Sequence, residues 1–263
     1  MKKIILIIFL LLILAVGYYA VFFEPYNFQI AKHTFYFENL TREKIKIVHL
    51  SDFHSVTFSK REKKVLEIVD KLSPDFVFIT GDFIGKLRKA KENEDSLATF
   101  WQTLSDKYKN RVFAVLGNHD NLWVKNLLEK SGIKILNNES YLLNGFYLIG
   151  VDDPYTGRDD LLKAMKEVEN EFPKILLAHS PDVIEKAKKE KIDLVLAGHT
   201  HGGQIKIPFF GPIWIPSKYG KKYSEGLFKE NSTFLYVNRG VGTFLLPARF
   251  NCPPEITLIE LTK

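Results

Sequence analysis

Lys46-Ile47-Val48-His49-Leu50-Ser51-Asp52-Phe53-His54 decides how the rest of the chain is read. Its β-rich first half ends on an Asp-x-His turn. The same arrangement, an apolar run closed by polar residues of metal-binding type, recurs along the sequence. Phe76 to Ile79 runs into Gly81-Asp82, and Val112 to Leu116 into Gly117-Asn118-His119-Asp120. Lys174 to Ala178 runs into His179, and Leu194 to Ala197 into Gly198-His199-Thr200-His201.

Helical patterns separate these runs. Ser59-Lys60-Arg61-Glu62 is a capping box, and Val65, Leu66, Ile68, Val69 and Leu72 give the helix it opens one apolar face, ended by Pro74. Further helices are expected over Leu97 to Leu104, Leu122 to Lys130, Asp160 to Val168 and Pro181 to Lys189. Beyond Gln204 loops and short strands take over, with a last strand at Glu255 to Leu261. Strands alternating with helices imply an α/β domain, whose ligands gather at the ends of the strands.

At the N-terminus, Ile4 to Phe23 is a charge-free apolar run preceded by Lys2 and Lys3. At ~1.5 Å per residue it is long enough to cross a bilayer of ~30 Å. Its length and the interfacial Tyr18 and Tyr19 favour an uncleaved anchor. A signal peptide cleaved near Ala15-Val16-Gly17 is the rival. The two lysines favour an inside N-terminus and a soluble domain on the outer, periplasmic or extracellular, face, although Lys32, Arg42, Lys44 and Lys46 weaken that preference. The division expected is therefore 1–23 as anchor or signal, 24–44 as a polar and aromatic lead-in with one edge strand, and 45–263 as one catalytic domain.

Composition excludes other classes. With 13% aromatic residues the chain is not disordered, and with one cysteine it has no disulfide framework. A net charge of +6 is too small to call for nucleic acid. The five motifs offer oxygen and imidazole ligands and no thiolate, a set that suits Mn, Fe or Zn. Seven such residues are too many for one ion and suit two that share a carboxylate. Each motif alone has an ordinary structural explanation, such as a surface turn, a helix cap at Asp120 or a core histidine. Their joint occurrence, in this order and each after a strand, does not.

The set resembles the calcineurin-like metallophosphoesterase superfamily over nearly all of Ile45 to Leu261. That resemblance implies a four-layer αββα sandwich with two divalent metal ions at the strand ends. It implies that Asp52, His54 and His201 hold one ion, that Asn118, His179 and His199 hold the other, and that Asp82 bridges them. It places His119 beside the phosphate as the catalytic histidine. Hydroxide generated between the metals would then attack a phosphomonoester, phosphodiester or pyrophosphate. Gly198 to Gln204, Pro216-Ser217-Lys218-Tyr219-Gly220, Asn238-Arg239-Gly240 and Arg249 to Glu255 resemble a bacterial membrane-associated branch. Some members of that branch are UDP-2,3-diacylglucosamine pyrophosphatases of lipid A synthesis; others are envelope phosphodiesterases or phosphatases.

Departures narrow the class. The Gly-Asp-x-x-Asp-Arg-Gly and Arg-Gly-Asn-His-Glu motifs of the protein phosphatases are broken here, by Gly81-Asp82-Phe83-Ile84-Gly85 and by Leu116 and Asp120. The reading is thus a membrane-associated two-metal phosphoesterase whose substrate is open, a lipid being among the candidates. A UDP-2,3-diacylglucosamine pyrophosphatase is the alternative, although UDP-sugars require a cytoplasmic site. A non-catalytic module on the same fold is the remote one, and it would be expected to have lost ligands. Arg239 and Arg249 are candidates for substrate phosphate or for structural ion pairs. Trp214 reads as an apolar rim for a lipid or as a core plug. Lys60, Arg61, Lys63 and Lys64 read as a solvated helix face, His33 and His49 as structural, and Cys252 as a buried thiol.

Overall fold

The computed structural model describes residues 1–263. In chain order the elements are α1 (Lys2–Phe22), β1 (Gln29–Tyr36), β2 (Lys44–Leu50), α2 (Lys60–Leu72), β3 (Phe76–Thr80), α3 (Leu87–Glu92), α4 (Glu94–Lys107) and β4 (Val112–Val115). They continue with α5 (Leu122–Lys130), β5 (Lys134–Ile135), β6 (Glu139–Leu143), β7 (Phe146–Gly150), α6 (Leu161–Ala164), β8 (Lys174–Leu177) and α7 (Ile184–Lys189). The last are β9 (Leu194–Ala197), β10 (Lys206–Ile207), β11 (Gly211–Pro212), β12 (Gly226–Glu230), β13 (Thr233–Val237) and β14 (Glu255–Thr262).

Two sheets of six strands stack face to face, in the orders β1-β14-β2-β3-β4-β5 and β12-β13-β9-β8-β7-β6. Strands β2 to β5 are mutually parallel, as are β7, β8, β9 and β13. Alternating side chains on each strand explain the unbroken apolar runs, because both faces are covered. Ile47, Phe76, Phe78, Leu194 and Leu196 meet between the sheets. Val48, Leu50, Val77 and Ile79 face α2, α4 and α5. Val195 and Ala197 face the α6 and α7 side. The result is the four-layer αββα sandwich that the resemblance implied.

Local signals act as expected at α2. Ser59 and Glu62 form the reciprocal capping box, and Ser73 ends the helix in a left-handed conformation before Pro74. Elsewhere the structure differs from the sequence reading. The helix expected over Asp160 to Val168 stops at Ala164, since only Leu161 and Ala164 reach the core fully while Met165 and Val168 pack partly. Pro181–Val183 forms a 3₁₀ turn that leads into α7. In the lead-in, β1 lies at the sheet edge, pairing in parallel with β14.

α1 is exposed along nearly its whole length and meets the domain at its C-terminal end. There the Arg249 amide donates to the Ala20 carbonyl at 2.9 Å, and the Cys252 amide donates to the buried Glu24 carboxylate.

Candidate metal centre

Every parallel strand that precedes a motif ends at the same edge of the sandwich. The loops after β2, β3 and β4 from one sheet therefore face those after β8 and β9 from the other. The backbone turns sharply there. Asp52, His54, Asp82, His199 and His201 all have positive φ, between 44° and 70°. This left-handed region is costly for side-chain-bearing residues, by about 1–3 kcal/mol each, and it clusters at functional sites.

Side-chain donors converge as a result. The Asp82 Oδ2 atom lies 3.4 Å from His54 Nε2 and 3.5 Å from His179 Nε2. His54 Nε2 is 3.1 Å from His201 Nε2, which is 3.5 Å from Asp52 Oδ1. On the other side, His179 Nε2 is 3.0 Å from Asn118 Oδ1 and 3.1 Å from His199 Nδ1. All seven residues proposed from sequence as ligands thus come together, in two groups that meet at Asp82.

Electrostatics show what the groups lack. Asp52 and Asp82 are buried, yet no Lys or Arg forms an ion pair with either. Burial raises the Asp52 carboxyl to about 6, with the Asp82 charge adding to the effect. At Asp82 burial is outweighed by His179 and His54, which hold the carboxyl below its usual range. Burial also opposes charge on His179, but Asp82 and Asp52 prevail and lift it to about 10. His54 is lowered to about 4 and His199 to about 3, both chiefly by burial. The buried carboxylates thus favour positive charge between them.

The donor set fits divalent ions. Metal–ligand bonds of about 2.0–2.2 Å place neighbouring ligand atoms about 3–3.5 Å apart, the spacing found here. His54 and His201 meet nitrogen to nitrogen while burial keeps both neutral, which suits lone pairs directed at a common cation.

The loops that carry these ligands are themselves pinned. Asp120 is buried, and its carboxylate accepts the amides of Asp82 and Gly117, each at 2.8 Å, and of Phe83 at 3.0 Å. The helix cap is instead Asn121, which accepts from Val124. A side chain at Gly117 would have its Cβ 2.7 Å from the Asp82 amide and in collision with its carboxylate. Arg61 was expected on a solvated face, but it donates to the Phe53 carbonyl at 2.9 Å and pairs with buried Glu62, which accepts from Ser55 at 2.6 Å. Helix α2 thereby holds the turn that presents Asp52 and His54.

A cavity of about 400 Å³ opens over the centre. Asp82, Asn118, His119, His199 and His201 form its floor. The His119 amide donates to Asp82 Oδ1 at 3.0 Å, and its ring lies 4.7 Å from that of Phe244. Ile213, Trp214, Phe244, Leu245 and Leu246 make one wall apolar. Trp214 is 59% exposed and so forms a rim, not a core plug. Tyr155 faces His199 at 4.5 Å between ring centroids. Gln204 holds the 244–246 loop, donating to the carbonyls of Phe244 and Leu246 and accepting the Phe244 amide. Sequence reasoning assigned no role to Tyr155 or the 244–246 loop, which no motif marks, and gave Gln204 none beyond its place at the end of the Gly198 to Gln204 motif.

Arg239 and Arg249 are spent on the protein. Arg249 is fully buried and donates to the carbonyls of Arg239, Gly240, Gly242 and Cys252. Arg239 pairs with Glu255 at 2.7 Å. His49 bonds Thr80 at 2.8 Å, His33 packs at a tilt against Tyr236, and the Cys252 thiol is buried against the His201 carbonyl.

Comparison with known proteins agrees with this geometry. The family profile described as calcineurin-like phosphoesterase matches residues 45–203. An uncharacterized metallophosphoesterase of Bacillus subtilis (strain 168), YkuE, is 32% identical, with 93% of this chain and 90% of the relative covered. Phosphodiesterase YaeI of Escherichia coli (strain K12) is 30% identical, with 90% of each covered. UDP-2,3-diacylglucosamine pyrophosphatase LpxG of Chlamydia muridarum is 27% identical, covering 82% of this chain and 83% of the relative. TT1561 of Thermus thermophilus shares the fold, with a TM-score of 0.52 at 15% identity over 75% of this chain and 90% of that one.

Proposed function

Because the chain belongs to the calcineurin-like phosphoesterase family, we propose that it is a two-metal phosphodiesterase held at a membrane by α1. The observation that carries this reading is Asp82, whose carboxylate stands 3.4 and 3.5 Å from histidines on either side. In this assignment Asp52, His54 and His201 hold one ion and Asn118, His179 and His199 the other, with Asp82 shared. Two divalent ions, Mn, Fe or Zn, would supply Lewis acidity for the phosphoryl oxygens and lower the pKa of the attacking water.

The chain's own groups supply the rest. His119 stands in the cavity beside the ligand Asn118, placed to give a proton to the departing oxygen. Its backbone amide holds Asp82, so the acid and the shared carboxylate are positioned together. The apolar wall excludes water from one side of the cavity, which strengthens every polar interaction inside it.

A phosphodiester is favoured because YaeI, similar over 90% of both chains, is a phosphodiesterase. The alternative substrate is UDP-2,3-diacylglucosamine, favoured by the similarity to LpxG and by the apolar wall. Lys2 and Lys3 favour an outer-face domain, a preference that Lys32, Arg42, Lys44 and Lys46 weaken, and an outer face would argue against a UDP-linked substrate. Full-length protein, purified in detergent and loaded with Mn, tests the reading on a diester, a monoester and UDP-2,3-diacylglucosamine. Metal-dependent turnover of the diester is expected. Absence of bound metal together with absence of turnover on all three would refute it.

A further inference from the structure

Large apolar side chains are exposed beside the metal cavity, on two segments that nothing in the domain covers. Strands β10 and β11 make a short hairpin whose tip carries Phe209, exposed in full, and Phe210, 79% exposed. Ile213 and Trp214 follow it, each more than half exposed. Leu245 and Leu246 project from the neighbouring loop, 81% and 59% exposed. Aqueous surfaces rarely group such residues without an apolar partner.

The identity of that partner follows from where the hairpin sits. Pro208, at the hairpin tip, lines a cleft together with Tyr19 of α1 and with Phe250 and Asn251. Tyr19 lies in the last turn of α1, where a spanning helix meets the headgroup layer. The domain is fixed at that level through the Arg249–Ala20 and Cys252–Glu24 bonds. The hairpin's aromatic tip is thus level with the end of the apolar helix. Lys221 stands behind it, donating to the Phe210 carbonyl at 3.3 Å. An apolar tip backed by a lysine matches an anionic bilayer interface, apolar within and negative at its surface.

Resting on the reading of α1 as an anchor, we propose that the 207–214 hairpin and the 244–246 loop form an apolar lip that enters the same bilayer interface as the end of α1. Ile213, Trp214, Leu245 and Leu246 belong at once to this lip and to the wall of the metal cavity. The cavity therefore opens onto the bilayer surface. Its substrate is an amphiphilic phosphoester, which keeps its apolar part along the lip while the phosphate reaches the centre.

Depth measurement tests the surface directly. Full-length Phe209→Cys carries a nitroxide, since the native Cys252 is buried, and is reconstituted in phosphatidylcholine–phosphatidylglycerol vesicles. Relaxation by oxygen should exceed relaxation by a water-soluble nickel chelate at position 209. Leu122→Cys, exposed at the start of α5, should show the reverse. A label at 209 as aqueous as that at 122 overturns the proposal, as does a chain that fails to stay with the vesicles. Activity gives the second arm, using the Phe209→Asp, Phe210→Asp double variant. It should hydrolyse soluble bis(p-nitrophenyl) phosphate within about twofold of wild type and lose at least about tenfold on vesicle-embedded hexadecyl p-nitrophenyl phosphate. Equal losses on both substrates, or none on either, would overturn the lip. A wild type inactive on both substrates would refute the phosphodiesterase reading instead, and the nitroxide depth would still decide the lip.

Discussion

Burial and the nearby Asp82 raise the Asp120 carboxyl to about 7, so replacing Asp120 by Asn keeps the shape of the side chain and, above that pH, removes its charge. The native carboxylate takes the Asp82 and Gly117 amides on one oxygen and the Phe83 amide on the other. A carboxamide offers a single acceptor oxygen. If that oxygen keeps the first two amides, the new NH₂ faces the Phe83 N–H, donor against donor. Leaving one buried N–H unpaired costs about 1–3 kcal/mol, and the surviving bonds lose their charge assistance, which makes such bonds roughly twice as strong as neutral ones. A total of about 2–4 kcal/mol lowers the melting temperature of a domain this size by about 4–16 °C. Thermal unfolding of the full chain in detergent, with Mn and with chelator, measures this, and elemental analysis measures bound metal. The loss should be larger with Mn present, because the Asp82 loop that Asp120 pins also carries the shared ligand. A variant that melts within about 1 °C of wild type and keeps full metal would refute the reasoning. Asp120→Ala leaves three amides unpaired and costs about 3–9 kcal/mol, enough to threaten folding, so Asn is the better probe.

Other outcomes follow from the same geometry. Asp82→Ala removes the carboxylate that both histidine groups share and should strip metal and activity together; wild-type metal content would refute its bridging role. His119→Ala should retain both ions and lower kcat by about 10²–10⁴-fold, and full turnover in that variant would remove His119 from the mechanism. At His49 the metal-free protein should lose stability as pH falls. Buried His49, lowered to about 3 by desolvation, stays neutral when folded and takes a proton only on unfolding. Its contribution is complete above the unfolded pKa of about 6.5 and erodes as pH falls from there toward about 3. His49→Phe should flatten the fall in denaturation midpoint between about pH 6.5 and 4, and an unchanged slope would contradict this.

Much of the fold was legible because its strands are covered on both faces. Phe76 to Ile79 and Leu194 to Ala197 read as strands from composition alone. The candidate ligands were legible because each follows such a run, so the order of motifs carries the layout of the candidate site. What escaped was set by contacts distant in sequence. Asp120 looked like a cap because a carboxylate before an apolar run usually is one; its amide partners at Asp82 and Phe83 lie 38 and 37 positions away. Arg61 looked solvated because its helix face is charged, while its acceptor, the Phe53 carbonyl, sits in the preceding loop. The apolar wall at 244–246 has no periodic pattern, and only its tether to Gln204 gives it a place. For Arg239 and Arg249 the sequence left two readings open, and burial with local carbonyl and carboxylate partners accounts for both side chains.

The position of β14 bears on how the fold assembles. This strand is the last of the fourteen, yet it lies between β1 and β2, the first two. It pairs with β1 over eight residues and with β2 over six. Until Glu255 to Thr262 docks, the first sheet has a gap beside β1. Closure of the sandwich therefore waits on its last strand, and loss of β14 would leave two unpaired strand edges facing one another, the kind that invites aggregation.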